Sequence, residues 1–128
     1  MTRVVLDTDV IVSALLIPGS KPSNILDMVL SGKLTFCYNS AIIVEYEEVL
    51  LREKFPFKPQ DVDLFLYRLI QDGDVIAAEP LSRPFSDEPD RKFYEVAQAA
   101  GAILITGNLK HYPKGSARSP AGFLERER

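Results

Sequence analysis

Short apolar runs alternate with amphipathic stretches along nearly the whole chain, and this alternation restricts the fold more than any other feature. Val4-Val5-Leu6, Leu34 to Tyr38, Val75 to Ala78 and Ile103 to Thr106 each read as a strand. The first is continuously apolar, as expected for a strand buried on both faces. Helical patterns fill the intervals. Val10 to Leu16 reads as a helix capped by Asp9 and stopped by Pro18-Gly19. Ser20 begins a second helix, with Pro22 in its first turn and Ile25, Leu26, Val29 and Leu30 as its apolar stripe; Gly32 ends it. Ser40 is expected to cap a longer helix to about Lys54, with Ile42, Ile43, Tyr46, Val49 and Leu50 on one side. Pro59 opens the next helix, which runs to Gly73. A last helix presents Phe93, Val96, Ala97 and Ala100 and closes at Gly101. The remainder reads as loop, with short structure around Phe123-Leu124 and a charged tail fraying from about residue 125. Strands separated by helices predict an α/β fold built on a mostly parallel sheet covered on both faces. Ligands of such sheets gather beyond the carboxyl ends of the strands.

A chain of 128 residues suits one domain, residues 1–128, better than two. Its formal net charge of −3 excludes a protein that coats nucleic acid through overall basicity. A nucleic-acid ligand would need a local basic patch, or metal ions in an acidic pocket. Cys37 is the only cysteine, so no intrachain disulfide can form; its place in an alternating strand marks it as core filler. No apolar run approaches the ~20 residues needed to span a bilayer, and no signal-peptide pattern opens the chain. A cytoplasmic location is the expectation.

Asp7 directly continues a buried strand, where a carboxylate is costly unless it is paired, hydrogen-bonded or bound to a cation. Asp87 and Asp90, at the start of the helix before Gly101, are adequately explained as capping and first-turn charges. Asp90 nevertheless shares a helix edge with Ala97 and so has access to a cleft. Glu45 and Glu47 border the apolar stripe of their helix from opposite sides, and periodicity does not choose between them. Thr106-Gly107-Asn108 reads first as a turn, although Asn108 can offer a carbonyl oxygen to a hard cation.

The ordered segments VVLDTDVIVSALL, SAIIVEYEEVL and DEPDRKFYEVAQAAGAILITGN together resemble the PIN-domain family, most closely its small stand-alone VapC-like toxins of toxin–antitoxin pairs. The resemblance runs from Arg3 to about Phe123. It implies a three-layer α/β/α fold with a mostly parallel central sheet of four to five strands, and acidic side chains that meet at one edge around Mg²⁺ or Mn²⁺. Matched by position, the strand-end acid is Asp7, the long-helix acid is Glu45 rather than Glu47, and the later helix acid is Asp90. Asp87 corresponds to a nearby assisting acid. Where the family often has Thr-Gly-Asp, this chain has Asn108; that change removes a negative charge and weakens the case for a second metal.

The function so implied is a metal-dependent endoribonuclease that leaves a 5′-phosphate and a 3′-hydroxyl. The implied partners are RNA, a small antitoxin that blocks the cleft, and further copies of the chain in a homodimer or higher homo-oligomer. Thr8 and Thr106 have hydroxyls suited to orienting a water or phosphate. Arg91, Lys92, Lys110 and Lys114 are the nearest basic groups for RNA, though solvated surface charge is their ordinary reading. His111, a lone histidine, carries little weight. One rival is a haloacid-dehalogenase-like phosphatase, whose paired-aspartate motif Asp7-Thr8-Asp9 resembles, with Asp7 as nucleophile and Asp9 as general acid/base. Ile105-Thr106-Gly107-Asn108-Leu109 does not supply the acidic pair that class needs downstream. Another is a PIN-like RNA-binding or interaction module whose catalysis has faded, with Asn108 as its trace.

Overall fold

In the computed structural model, which describes residues 1–77 and 88–127, the N-terminal apolar run becomes β1 (Arg3–Leu6), the middle strand of the sheet. It is followed by α1 (Thr8–Leu16), α2 (Lys21–Leu30), β2 (Thr35–Tyr38), α3 (Ser40–Leu50), α4 (Pro59–Asp72) and β3 (Asp74–Val75). A 3₁₀ turn (Glu88–Asp90) then leads into α5 (Arg91–Ala100) and β4 (Ile103–Ile105). A second 3₁₀ turn (Leu109–His111), β5 (Ala117–Arg118) and α6 (Pro120–Glu127) complete the chain. Among the described residues no helix is long and apolar enough to cross a membrane.

The sheet has the order β3-β2-β1-β4-β5, and every neighbouring pair is parallel. The expected α/β class is therefore observed, with five strands. The chain moves outward from β1 to β2 and β3, then returns to place β4 on the other side of β1. The carboxyl ends of β1 and β4 thus flank the point where strand order reverses, which is where open parallel sheets form a crevice. Pairing of Leu6 with Ile105 sets Asp7 and Thr106 abreast just beyond the sheet. The Asp7 N–H extends the ladder by one bond, donating to the Ile105 carbonyl at 3.0 Å.

Val4, Val5 and Leu6 are fully buried, as their unbroken apolarity predicts. The core continues through Phe36, Ile42, Tyr46, Phe93, Leu104, Ile105 and Phe123. Helix α5 packs across β1, β2 and β4, and Phe93 stacks on Tyr46 with ring centroids 6.4 Å apart. Cys37 is fully buried, and desolvation raises its thiol pKa, as befits an inert core residue.

Several local readings change. Asn39, not Ser40, caps α3: its side chain accepts from the Ile42 N–H at 3.0 Å, and the helix ends at Leu50 rather than near Lys54. Ser20 caps α2 as expected, accepting from Ser23. Asp9 does not cap α1; it lies inside the first turn, and its carboxylate bonds across the crevice instead. The third strand begins one residue earlier than expected and ends at Val75; Ala78 lies outside the described residues. In the C-terminal region the short structure expected around Phe123-Leu124 is the helix α6, which continues to Glu127 where a fraying tail was expected, and β5 stands where loop was expected. A two-residue strand carries too little periodicity to be read, whereas α6 is anchored by the fully buried Phe123.

Candidate active site

Three buried polar residues among those described, Asp7, Thr8 and Thr106, lie together at the crevice between β1 and β4. Asp7 is 5% exposed, and its Oδ2 accepts two hydrogen bonds: from Thr106 Oγ1 at 2.8 Å and from the Tyr112 hydroxyl at 2.9 Å. Thr106 Oγ1 accepts in turn from the Asn108 N–H at 2.9 Å, which fixes the rotor. The Thr8 hydroxyl donates to Glu45 Oε2. Both threonines thus act on carboxylates here.

Glu45 enters from α3. Beside it, Tyr46 is fully buried and donates its hydroxyl to the Leu6 carbonyl, the last of β1. This bond ties the glutamate-bearing turn of α3 to the strand end that carries Asp7. The structure separates the two candidates that periodicity left equal: Glu45 faces the crevice, and Glu47 is exposed. A Tyr46→Phe substitution is expected to cost about 1–2 kcal/mol by removing a buried donor, measurable by denaturant unfolding.

Asp90 sits at the junction of the first 3₁₀ turn and α5, and its Oδ2 lies 2.8 Å from His111 Nδ1. His111 and Tyr112 are consecutive, so one short segment after β4 grips Asp90 with one residue and Asp7 with the next. Asp87 lies outside the described residues.

Tyr112 was not singled out from sequence, and Asp9 was read as a helix cap or, in the phosphatase alternative, as general acid/base; both belong to the site. Asp9 Oδ2 accepts from the Gly107 N–H at 3.0 Å and from Asn108 Nδ2 at 3.1 Å. The amide nitrogen of Asn108 is therefore committed to a carboxylate. Gly107 offered a signal: a Cβ there would stand 2.5 Å from Asp9 Oδ2, so only glycine permits this approach. Gly107→Ala is expected to push the Asp9 carboxylate aside and break its bonds to Gly107 and Asn108, at a cost of about 1 kcal/mol, seen as a slightly lowered melting temperature.

The acids repel one another and are poorly hydrated. Burial, opposed by the bonds from Thr106 and Tyr112, raises the Asp7 carboxyl above its ordinary range, and the Glu45 charge adds to the rise. Asp9 is pushed up to about 6 by burial and by the charges of Asp7 and Asp90. The Tyr112 phenol is raised by burial and by the same three aspartates. The charges of Asp7 and Asp90 thus reach Asp9, and that of Glu45 reaches Asp7.

Among the described residues, Asp9 Oδ1 is the buried side-chain oxygen with no hydrogen-bond partner. An orphaned carboxylate oxygen among other acids has the chemistry of a hard divalent cation's ligand. As placed, no three acids, histidines or cysteines of the described residues share a coordination point. Glu45 is engaged by Lys92, whose Nζ lies 2.7 Å from Oε1, and Asp90 by His111. The donor set therefore suits Mg²⁺ or Mn²⁺ in kind, but two of its members are held by side-chain partners. The expected RNA contacts divide likewise: Lys92 is turned inward to Glu45, whereas Lys110 and Lys114 are exposed on the segment after β4.

A buried strand-end acid thus stands at a topological switch point, with further acids from α1, α3 and the start of α5 around it. The chain belongs to the PIN domain family, whose profile matches residues 3–110. Over 109 residues it is 31% identical to an uncharacterised protein, MJ1680, of Methanocaldococcus jannaschii, covering 83% of this chain and 70% of that one. Among solved structures, VapBC2 of Rickettsia felis, determined bound to a DNA fragment from its promoter, superposes with a TM-score of 0.61 at 16% identity. It covers 92% of this chain and 97% of its own. PAE2754 of Pyrobaculum aerophilum gives 0.60 at 14% identity, with 98% and 88% covered. FitAcB of Neisseria gonorrhoeae gives 0.58 at 14% identity, with 92% and 98% covered. At such identities the structures establish the shared fold.

Proposed function

We propose that this protein is a metal-dependent endoribonuclease and the toxin of a toxin–antitoxin pair. The observation that carries the reading is Asp7: a buried acid at the end of the central strand, aimed by Thr106 and Tyr112 and surrounded by Asp9, Glu45 and Asp90. Family membership supports it, since PIN domains are generally nucleases.

Asp7, Glu45 and Asp90 would hold the ion, with Asp9 Oδ1 available as a further oxygen and Asp87 as a possible assistant from outside the described residues. When bound, a divalent ion supplies a water of lowered pKa and charge stabilisation at a phosphoryl oxygen. The chain's own contribution is positioning. Thr106 and Tyr112 hold one Asp7 oxygen, Thr8 aims Glu45, and His111 orients Asp90. Asn108 acts by steering Asp9 through its amide nitrogen. Lys110 and Lys114, exposed on the segment that carries His111 and Tyr112, would supply the cations for RNA phosphates.

The direct test incubates structured and unstructured RNAs with the protein in Mn²⁺, Mg²⁺ or EDTA. Internal cleavage in metal and none in EDTA is expected; cleavage that persists in EDTA would defeat the reading. The VapBC likeness motivates the partner proposal, a small antitoxin that covers the crevice, with self-association of the toxin. Exposed Leu64 and Tyr67, three positions apart on α4, offer apolar surface for such contacts. Induced expression is expected to arrest growth of the host, and an Asp7→Asn variant to leave growth untouched. Equal arrest by both would separate toxicity from this site.

A further inference from the structure

Lys92 is a cation fastened to one acid of the cluster, Glu45. Its Nζ lies 2.7 Å from Glu45 Oε1 and donates to the Pro89 carbonyl, and it stands 5.2 Å from the centroid of the Phe93 ring. The two ion-paired side chains are only 21% and 23% exposed, unlike the Arg52–Glu48 pair at 49% and 68%. Exposed pairs of the latter kind are worth little. The other Glu45 oxygen accepts from Thr8, so both are occupied. Each oxygen keeps a second lone pair, but a divalent ion brought to Oε1 would stand against the ammonium charge at contact distance, so one cation must yield; Thr8, on the short first turn of α1, has far less freedom than lysine. Lysine carries a compact charge on a flexible four-carbon stem, so the ammonium can move while its backbone stays in α5.

We infer that Lys92 is a tethered counter-ion that competes with the divalent metal for Glu45 and, once displaced, pairs with an RNA phosphate at the same crevice. This rests on the nuclease reading above. In the metal-free protein the lysine offsets a negative charge that would otherwise repel Asp7. In the loaded protein that charge is offset by the ion, and the freed ammonium takes the anion that the substrate brings. A lysine here therefore weakens metal affinity and strengthens RNA affinity.

The two halves are read separately. Calorimetric titration with Mn²⁺ alone is expected to show Lys92→Met binding about tenfold more tightly than the parent, about 1.4 kcal/mol. Equal or weaker binding would overturn the competition. Cleavage of a fixed RNA at saturating Mn²⁺ is expected to show KM raised about tenfold in Lys92→Met, with kcat changed less, and largely restored in Lys92→Arg. An unchanged KM would overturn the transfer to phosphate. Circular dichroism melts in EDTA confirm folding, and Lys92→Gln replaces Lys92→Met in both assays if the apolar variant fails to fold. A parent that binds Mn²⁺ and cleaves RNA, with a variant that matches it in both, sinks this proposal alone. A parent that binds no Mn²⁺ sinks the nuclease reading and this one with it.

Discussion

Replacing Asp7 by Asn is expected to lower metal-dependent RNA cleavage by about 10²–10³-fold while leaving the metal-free protein at least as stable as the parent. The asparagine carbonyl can still accept from Thr106 and Tyr112, so the shape of the crevice is preserved. What disappears is a charge that burial and Glu45 already disfavour. Loss of activity through misfolding would show the opposite stability change. RNA cleavage followed on gels in Mn²⁺, beside thermal melts in EDTA, distinguishes the two; parental cleavage by the variant would remove Asp7 from the chemistry.

Metal should reverse the response of stability to pH. In EDTA, Asp7 and Asp9 bind protons more tightly in the folded protein than in the unfolded chain, because their folded pKa values are raised, that of Asp9 to about 6. Their protonation therefore favours folding. That contribution is complete below the unfolded value near 3.8 and is lost as pH rises through about 6. The melting temperature of the parent, relative to Asp9→Asn, is expected to rise as pH falls from 7 toward 4.5. With Mn²⁺ the same carboxylates must be ionised, so the added stability grows with pH. At a hundredfold excess over Kd it amounts to about 2.7 kcal/mol, on the order of 10 °C for a domain of this size. A Mn²⁺ effect equal at pH 5 and pH 7.5 would place the ion away from these acids.

The fold was largely legible because its strands are apolar runs and its helices carry clear stripes. Val4 to Leu6 needed no partner to be recognised as buried, and Gly101, left-handed at φ 63°, marked the end of α5. The site was legible only in part. Asp7 announced itself through the cost of a carboxylate after a buried strand. Asp9 could equally have been a helix cap, and nothing local to it shows that its partners lie 98 and 99 residues away. Tyr112 stands in a stretch without periodicity, so its bond to Asp7 follows only from the return of the chain beside β1. Glu45 and Glu47 were equivalent on a helical wheel; the neighbouring strand ends, not the helix, distinguish them.

The side-by-side placement of Asp7 and Thr106 is set by peptide spacing. Strand side chains alternate faces with every residue, so inserting or deleting one residue in β4 would carry the threonine hydroxyl to the far side of the sheet. Asp7 would then lose the donor that aims it, and the segment bearing His111 and Tyr112 would start out of phase. Length between Ala102 and Thr106 is thus constrained more tightly than side-chain identity: Ile103, Leu104 and Ile105 can exchange for other apolar residues of similar volume, but their number cannot change.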